Sequence, residues 1–273
     1  MDTEQLWLAF AKQGGTLYGG SPRFVGRVEP SWFAILTGEP NLDLNICGMH
    51  GSADATDADA LLEVIDGVGA PTVVPVSLAV AAEATDVLLA AGFEPLEPEA
   101  AMWRPPTPIT ASPGPFTVRR AVVDADLVDA DRVLAEAHGT SPGTVTRVFN
   151  MDEWRAGRLG CWVAREGTDA VSAVWLTWDE GLVGVWEMMT SPRHRRRGAG
   201  RAVLAAALAE TATLGPSGTL LWASPMGRPL YEALGFEVFD EVVPWVRGGT
   251  AEELALIGAA VREDVSSVQA KAP

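Results

Sequence analysis

The sequence predicts an α/β (α+β) protein of two lobes in tandem, each a central, mostly antiparallel mixed sheet flanked by helices. Three observations carry this expectation. At 273 residues the chain is long enough to bury two cores. The segment Arg104-Pro-Pro-Thr-Pro-Ile-Thr-Ala-Ser-Pro-Gly-Pro115 places five prolines in twelve residues, so it cannot continue a helix or a central strand. On either side of it, strand and helix patterns follow one another in a similar order. The expected division is residues 1–103 for the first lobe, 104–115 for a linker, 116–248 for the second lobe and 249–273 for a tail.

In the first lobe, Phe33 to Thr37 and Leu42 to Gly48 read as strands, and Ala58 to Val68 as a helix. Thr72 to Ser77 follows as a strand, Leu78 to Ala91 as a helix and Glu94 to Arg104 as a strand. In the second lobe, Phe116 to Ala121 alternates like a strand and Asp124 to His138 has the spacing of an amphipathic helix, with Leu127, Ala130, Val133 and Leu134 on one side. Thr144 to Asn150 is a candidate short helix. Gly160 to Arg165, Val171 to Trp178 and Leu182 to Thr190 are apolar, Val- and Trp-rich runs parted by turn residues, which suits an antiparallel meander. Ala199 to Leu214 then reads as a helix, Thr219 to Ala223 as a buried strand, Pro225 to Leu234 as a helix and Glu237 to Val246 as a strand. A helix over Ala251 to Glu263 is a candidate for the tail.

Hydrophobic residues make up 48% and charged residues 21%, which excludes a disordered or fibrous chain. Cys47 and Cys161 are too few for a disulfide framework, and His50, His138 and His194 form no metal-ligand spacing, so no metal is expected. The start Met1-Asp2-Thr3-Glu4 lacks the basic and apolar pattern of a signal peptide, and no run of apolar residues is long enough to span a bilayer; a cytoplasmic protein without a membrane partner is expected. A net charge of −16 argues against a nucleic-acid partner, since a phosphate backbone would be repelled. The charge is uneven: −11 over residues 1–112 against −5 over the rest. Arg193, Arg195, Arg196, Arg197 and Arg201 crowd together in the second lobe, and such a cluster in an acidic protein points to a bound anion, with a solvated helix start as the plainer reading.

The placement of that cluster carries the chemistry. A strand that runs into a loop of small residues and then directly into a helix makes an anion site, because the first helical N–H groups lack partners and the helix dipole adds positive potential. Arg195, Arg196, Arg197, Gly198, Ala199, Gly200 and Arg201 occupy such a junction, the glycines allowing close backbone approach and the arginines supplying charge-assisted bonds. Downstream, Ser224 is a candidate N-cap and Pro225 a first helical residue, with Pro229 as an alternative start. Tyr231 would then lie on a short helix beside the loop, where a phenol can protonate a departing thiolate; the alternative is a core tyrosine.

Residues 116 to 248 resemble the GNAT superfamily of N-acyltransferases. Arg195, Gly198 and Gly200 meet the family pattern Gln/Arg-x-x-Gly-x-Gly/Ala, Pro192 precedes it as is common there, and Leu230-Tyr-Glu-Ala-Leu-Gly-Phe236 matches a later family motif. Ser224 and Gly227 stand where the family often has Asn and Ala. The resemblance implies acetyl-CoA or another acyl-CoA as cofactor, bound by the loop, by Met188, Met189 and Thr190 and by Ser224. It also implies direct attack by a small-molecule amine, with Tyr231 as general acid and backbone N–H groups of Trp186 to Thr190 at the oxyanion, which a bulge in that strand would free. For the base, Glu187 is the one carboxylate in its apolar run; it faces the cleft, working through water, or sits in a satisfied ion pair. Asp179 and Glu180 read as turn residues.

The resemblance extends in weaker form to the first lobe, making the expected architecture tandem GNAT-like lobes. At the phosphate-loop position this lobe reads His50-Gly-Ser-Ala-Asp54-Ala-Thr-Asp57-Ala-Asp59, whose carboxylates repel phosphate, and Leu88 stands where Tyr231 does. A degenerate lobe without cofactor is expected, an unrelated α/β cap being the alternative. It would form the acceptor side of the cleft or a subunit contact, so a homodimer is compatible with the sequence. Trp162, Trp175, Trp178 and Trp186 are candidates for an aromatic acceptor pocket, although apolar strands usually place such residues in the core. A non-catalytic acyl-CoA sensor on the same fold stays open as a second reading; a dinucleotide oxidoreductase does not fit the element order.

Overall fold

A computed structural model describes residues 1–112, 114–138, 141–143, 147–250 and 253–254. The chain begins with helix α1 (Thr3–Tyr18), to which the sequence reading assigned nothing; Asp2 and Gln5 close a capping box at its start. Strands β1 (Val25–Val28) and β2 (Trp32–Leu36) form a hairpin. The strand expected from Leu42 is shorter, because the Asn41 side chain accepts from the Asp43 N–H and holds Leu42–Leu44 in a 3-10 turn before β3 (Asn45–Met49). Then come α2 (Ala55–Val68), β4 (Thr72–Ser77), α3 (Ala81–Ala90), the two-residue β5 (Glu94–Pro95) and β6 (Glu99–Arg104).

After the proline segment the order is β7 (Thr117–Arg120), α4 (Asp124–His138), α5 (Met151–Arg155), β8 (Leu159–Glu166), β9 (Asp169–Asp179) and β10 (Leu182–Thr190). It continues with α6 (Ala199–Thr211), β11 (Gly218–Ala223), α7 (Arg228–Glu232) and β12 (Glu237–Arg247). Helix α6 stops short of the expected Leu214 because the chain tightens into a 3-10 turn and Gly215 takes the left-handed conformation. Of the candidate helix at Thr144 to Asn150, residues 144–146 lie outside the described residues and Arg147 to Phe149 form turn and bend rather than helix. The candidate in the tail falls outside the described residues except for 253–254.

One sheet runs through the molecule in the order β1-β2-β3-β4-β12-β6-β11-β10-β9-β8-β7, with β5 against β12. The two halves exchange strands. β6 lies antiparallel between β11 and β12, and β12 lies antiparallel between β4 and β6. The pairing therefore crosses the expected boundary between the lobes in both directions.

Successive side chains point to opposite faces of each strand, and the core follows that alternation. One face carries a single cluster that includes Phe33, Ile35, Ala173, Trp175, Val242 and Val246, covered by α1 and α4. The other carries two: Trp32, Ala34 and Trp245 under α2 and α3, and Met102, Val174 and Leu176 under α6. Helix α1 reaches beyond its own half. Buried Gln13 donates to the Leu182 carbonyl at 2.9 Å and accepts from the Thr177 hydroxyl, which in turn accepts from the Trp186 indole at 2.8 Å. Among the described residues, no helix is long and apolar enough to cross a membrane.

Candidate active site

Strands β10 and β11 are parallel neighbours for only three pairs, Leu182↔Gly218 to Gly184↔Leu220. Beyond Gly184 they part. β10 also bulges there: its register against β9 shifts between Trp186 and Met189, and Glu187 takes a φ of 46°. A non-glycine residue in the left-handed region is strained, and such residues gather at functional sites. Arg196, with φ 62°, is a second example a few residues on.

A cavity of about 650 Å³ occupies the gap. It is lined from both faces of the sheet. Toward the α6 face lie Met188, Arg195, Gly198, Ala199, Gly200 and Tyr231; toward the α1 face lie Phe10, Tyr18, Asp43, Glu99 and Trp222. Of the residues expected at the site, Glu187, Met188, Met189, Thr190, Arg195, Arg196, Gly198, Ala199, Gly200, Arg201, Ser224 and Tyr231 all line it. Arg197 does not: its guanidinium turns outward to pair with Glu166.

The start of α6 is open. Its N-cap is Gly198 at φ 90°, with no side-chain capping bond, and a Cβ built there would meet nothing within 4 Å. The first-turn N–H groups therefore face the cavity side without a side chain over them. Gly200 is a glycine for a different reason, since a Cβ there would meet the Met188 Cε at 2.6 Å. A side chain there would push the Met188 methyl aside and crowd the Thr190 hydroxyl at 3.2 Å.

Ser224 is not the N-cap of the following helix. Pro229 delays the start, Gly227 takes the cap position, and the Ser224 hydroxyl instead accepts from the Gly227 N–H at 3.3 Å. Gly227, in place of the family's alanine, has a structural reason: a Cβ would stand 3.0 Å from the Tyr231 ring. Tyr231 is buried, packs edge-on against Phe236, and burial pushes its phenol well above the usual range, so it stays protonated.

The chain's two tyrosines meet in this cavity, which the sequence reading missed. Tyr18, at the end of α1, donates to the Glu187 carboxylate at 2.5 Å. Burial first, then the Glu187 charge and this bond, holds the Tyr18 phenol protonated. Glu99 and Asp43 were missed as well. Burial, then the nearby Asp43, pushes the Glu99 carboxyl up to about 8. The scarcity of tyrosine, and a lone carboxylate opening the run Glu99-Ala-Ala-Met-Trp103, were the available signals. Of the four tryptophans considered for a pocket, Trp186 lines the cavity, while Trp162 and Trp175 are fully buried in the core clusters.

Residues 157–238 match the family model of the acetyltransferase (GNAT) domain. The C-terminal lobe is of the GNAT type. Solved structures extend the likeness of fold along the chain. A GCN5-related N-acetyltransferase from Kribbella flavida superposes with a TM-score of 0.65 at 15% identity, over 92% of this chain and 97% of its own. One from Sphaerobacter thermophilus gives 0.58 at 16% identity, over 81% and 79%. A tandem GNAT protein from the clavulanic acid biosynthesis pathway gives 0.52 at 12% identity, over 84% and 85%. The N-terminal lobe thus shares the GNAT-like fold. No curated protein matches the sequence.

Proposed function

We propose that the protein is an acyl-CoA-dependent N-acyltransferase, acetyl-CoA being the expected donor, that acylates a small-molecule amine by direct attack. The observation that carries this is the parted β10/β11 pair: one cavity joins an uncapped, arginine-flanked helix start on one face of the sheet to a carboxylate-bearing wall on the other.

Acyl-CoA fits the first of these. Ala199, Gly200 and Arg201 offer backbone N–H groups to a pyrophosphate, Arg195 and Arg196 add charge, and the open space at Gly198 lets the phosphates approach. When bound it supplies an electrophilic thioester carbonyl and a leaving thiolate. Glu187 takes the proton from the attacking amine, directly or through water, while the bond between amine nitrogen and carbonyl carbon forms. N–H groups of the bulge at Glu187 and Met188 donate to the carbonyl oxygen as charge develops. Tyr231 gives its proton to sulfur as the carbon–sulfur bond breaks. Burial raises the proton affinity of the Tyr231 phenol, so its proton is in place when the sulfur departs.

The N-terminal lobe, in this reading, binds no cofactor and builds the acceptor wall. A pure acyl-CoA sensor would need the loop but neither Glu187 nor Tyr231 on the cavity. The test is release of free thiol from acetyl-CoA with a panel of primary amines, for the parent and for Tyr231→Phe. No amine-dependent release would reject the proposal.

A further inference from the structure

The cationic residues on the cavity, Arg195, Arg196 and Arg201 with His194, all belong to the loop and α6. Among the described residues, the rest of the lining carries only acidic charge: Glu187 at the bulge, and Asp43 and Glu99 beyond it. Glu187 is tied to Tyr18. Glu99 stands apart. It opens β6 opposite Val242, is mostly buried on the cavity wall and, among the described residues, makes no ion pair and no hydrogen bond of good geometry. The Trp222 indole nitrogen, likewise without a well-oriented partner, lies beside it and offsets part of the rise in its proton affinity.

A buried carboxylate costs free energy unless a cation or donors compensate it. Among the described residues that line this end of the cavity, none is a cation. Strand register sets the distance to the reacting centre. Ala100, next to Glu99, pairs with Ala223 of β11, and β11 is the neighbour of β10. Two strand positions thus separate Glu99 from the bulge at Glu187, and because β10 and β11 have parted there the separation exceeds the roughly 10 Å of two paired spacings. Between them the wall is apolar: Trp222 of β11 lies between the two strands and Phe10 of α1 packs against Trp186, while Ile46, Val73 and Leu96 continue the apolar lining on the other side of Glu99.

We propose that the acceptor is a diamine, one nitrogen presented at Glu187 for acylation and the second, as an ammonium, held by Glu99 beside Asp43, with an apolar chain between them. The inference rests on the amine-acylation reading above, but the binding of the second nitrogen can be tested without turnover. An ammonium at Glu99 favours the ionised carboxyl, so binding near neutral pH releases a proton. Among the described residues, the other titratable groups lining this side of the cavity are Asp43, Tyr18 and Glu187; Glu241 of the adjoining β12 is turned outward to Arg228.

Calorimetry on the full chain with hexamethylenediamine and with hexylamine as probes separates the possibilities. The diamine should bind at least about tenfold more tightly, and Glu99→Gln should erase that preference while hexylamine affinity stays within about twofold. CoA titration of the same variant checks that it is folded. Should the variant fail to fold, proton release by the parent, measured in two buffers of different ionisation enthalpy, replaces it: the diamine releases protons at pH 7 and hexylamine does not. Equal affinities, absent amine binding, or a preference that survives Glu99→Gln overturns the second-ammonium site. Glu99-dependent diamine binding without thiol release would leave this site standing and reject acyl transfer. Thiol release with monoamines, with no gain from the second nitrogen, would do the reverse.

Discussion

The two halves contain the same strand–loop–helix–strand unit, β3–α2–β4 and β10–α6–β11, and differ at each place where chemistry would occur. In the first unit the helix start is closed: the Asp54 side chain accepts from the Thr56 and Asp57 N–H groups, and Asp57 bonds back to the Asp54 N–H. In the second it is open, with a glycine at the cap. β3 holds unbroken register against β2 and stays paired with β4 as far as Met49↔Val76, whereas β10 bulges and leaves β11 after Gly184. Leu88 is fully buried in the first half's core, while Tyr231 faces the cavity in the second. Closing a helix start with aspartates and keeping the strands paired stabilises a fold. Leaving both undone costs stability locally and makes a site.

The sharpest way to break this comparison is to close the second helix start. Gly198→Asp adds negative charge and a side chain at φ 90°, and should weaken CoA binding more than about 100-fold by calorimetry. The parent should bind one CoA per chain; two would make the first unit a site as well. Next in size, Tyr231→Phe should lower kcat by about 100-fold with CoA affinity nearly unchanged. An unaltered rate would assign Tyr231 to packing, as Leu88 is assigned.

A third prediction concerns pH. The Glu99 carboxyl is pushed up to about 8 from a reference of 4.5, so the folded state holds a proton that the unfolded state loses. That contribution is whole below pH 4.5, falls as pH rises and is gone above 8. Glu99→Gln should therefore raise the melting temperature relative to the parent by an increment that grows from pH 5 to 8 and then levels; a pH-independent increment would contradict the shift. The smallest effect is expected at the closed helix start. Asp54→Ala should cost about 1 kcal/mol in urea unfolding and leave acetyl transfer unchanged, and it should create no second CoA site, because β3 and β4 remain paired.

Much of this was legible locally. The arginine loop announces itself because charge, glycine and a helix start fall within seven consecutive residues, and the strands of the second half because their apolar runs end in turn residues. Tyr231 followed from its position after β11. The α1-face end of the cavity was not legible in the same way: Tyr18, Asp43, Glu99 and Trp222 come from four distant segments and meet through α1 packing across β10, through β6 lying beside β11 and through β12 joining β4 to β6. Local pattern encodes that a segment is a strand but not its partner. Ser224 shows the converse, a plausible cap displaced by a proline five residues on.

The exchange of β6 and β12 has a consequence for how the chain reaches this state. Until the segment Glu237–Arg247 has been made, β4 has no neighbour on that side and β6 lacks one of its two, so the first half presents unpaired backbone edges. These are contacts of high sequence separation, which slow folding because loop closure must precede their reward. The halves should thus behave as one cooperative unit with a single unfolding transition. During synthesis the nascent first half is an aggregation hazard until the last strand threads between β4 and β6 and finishes both halves at once.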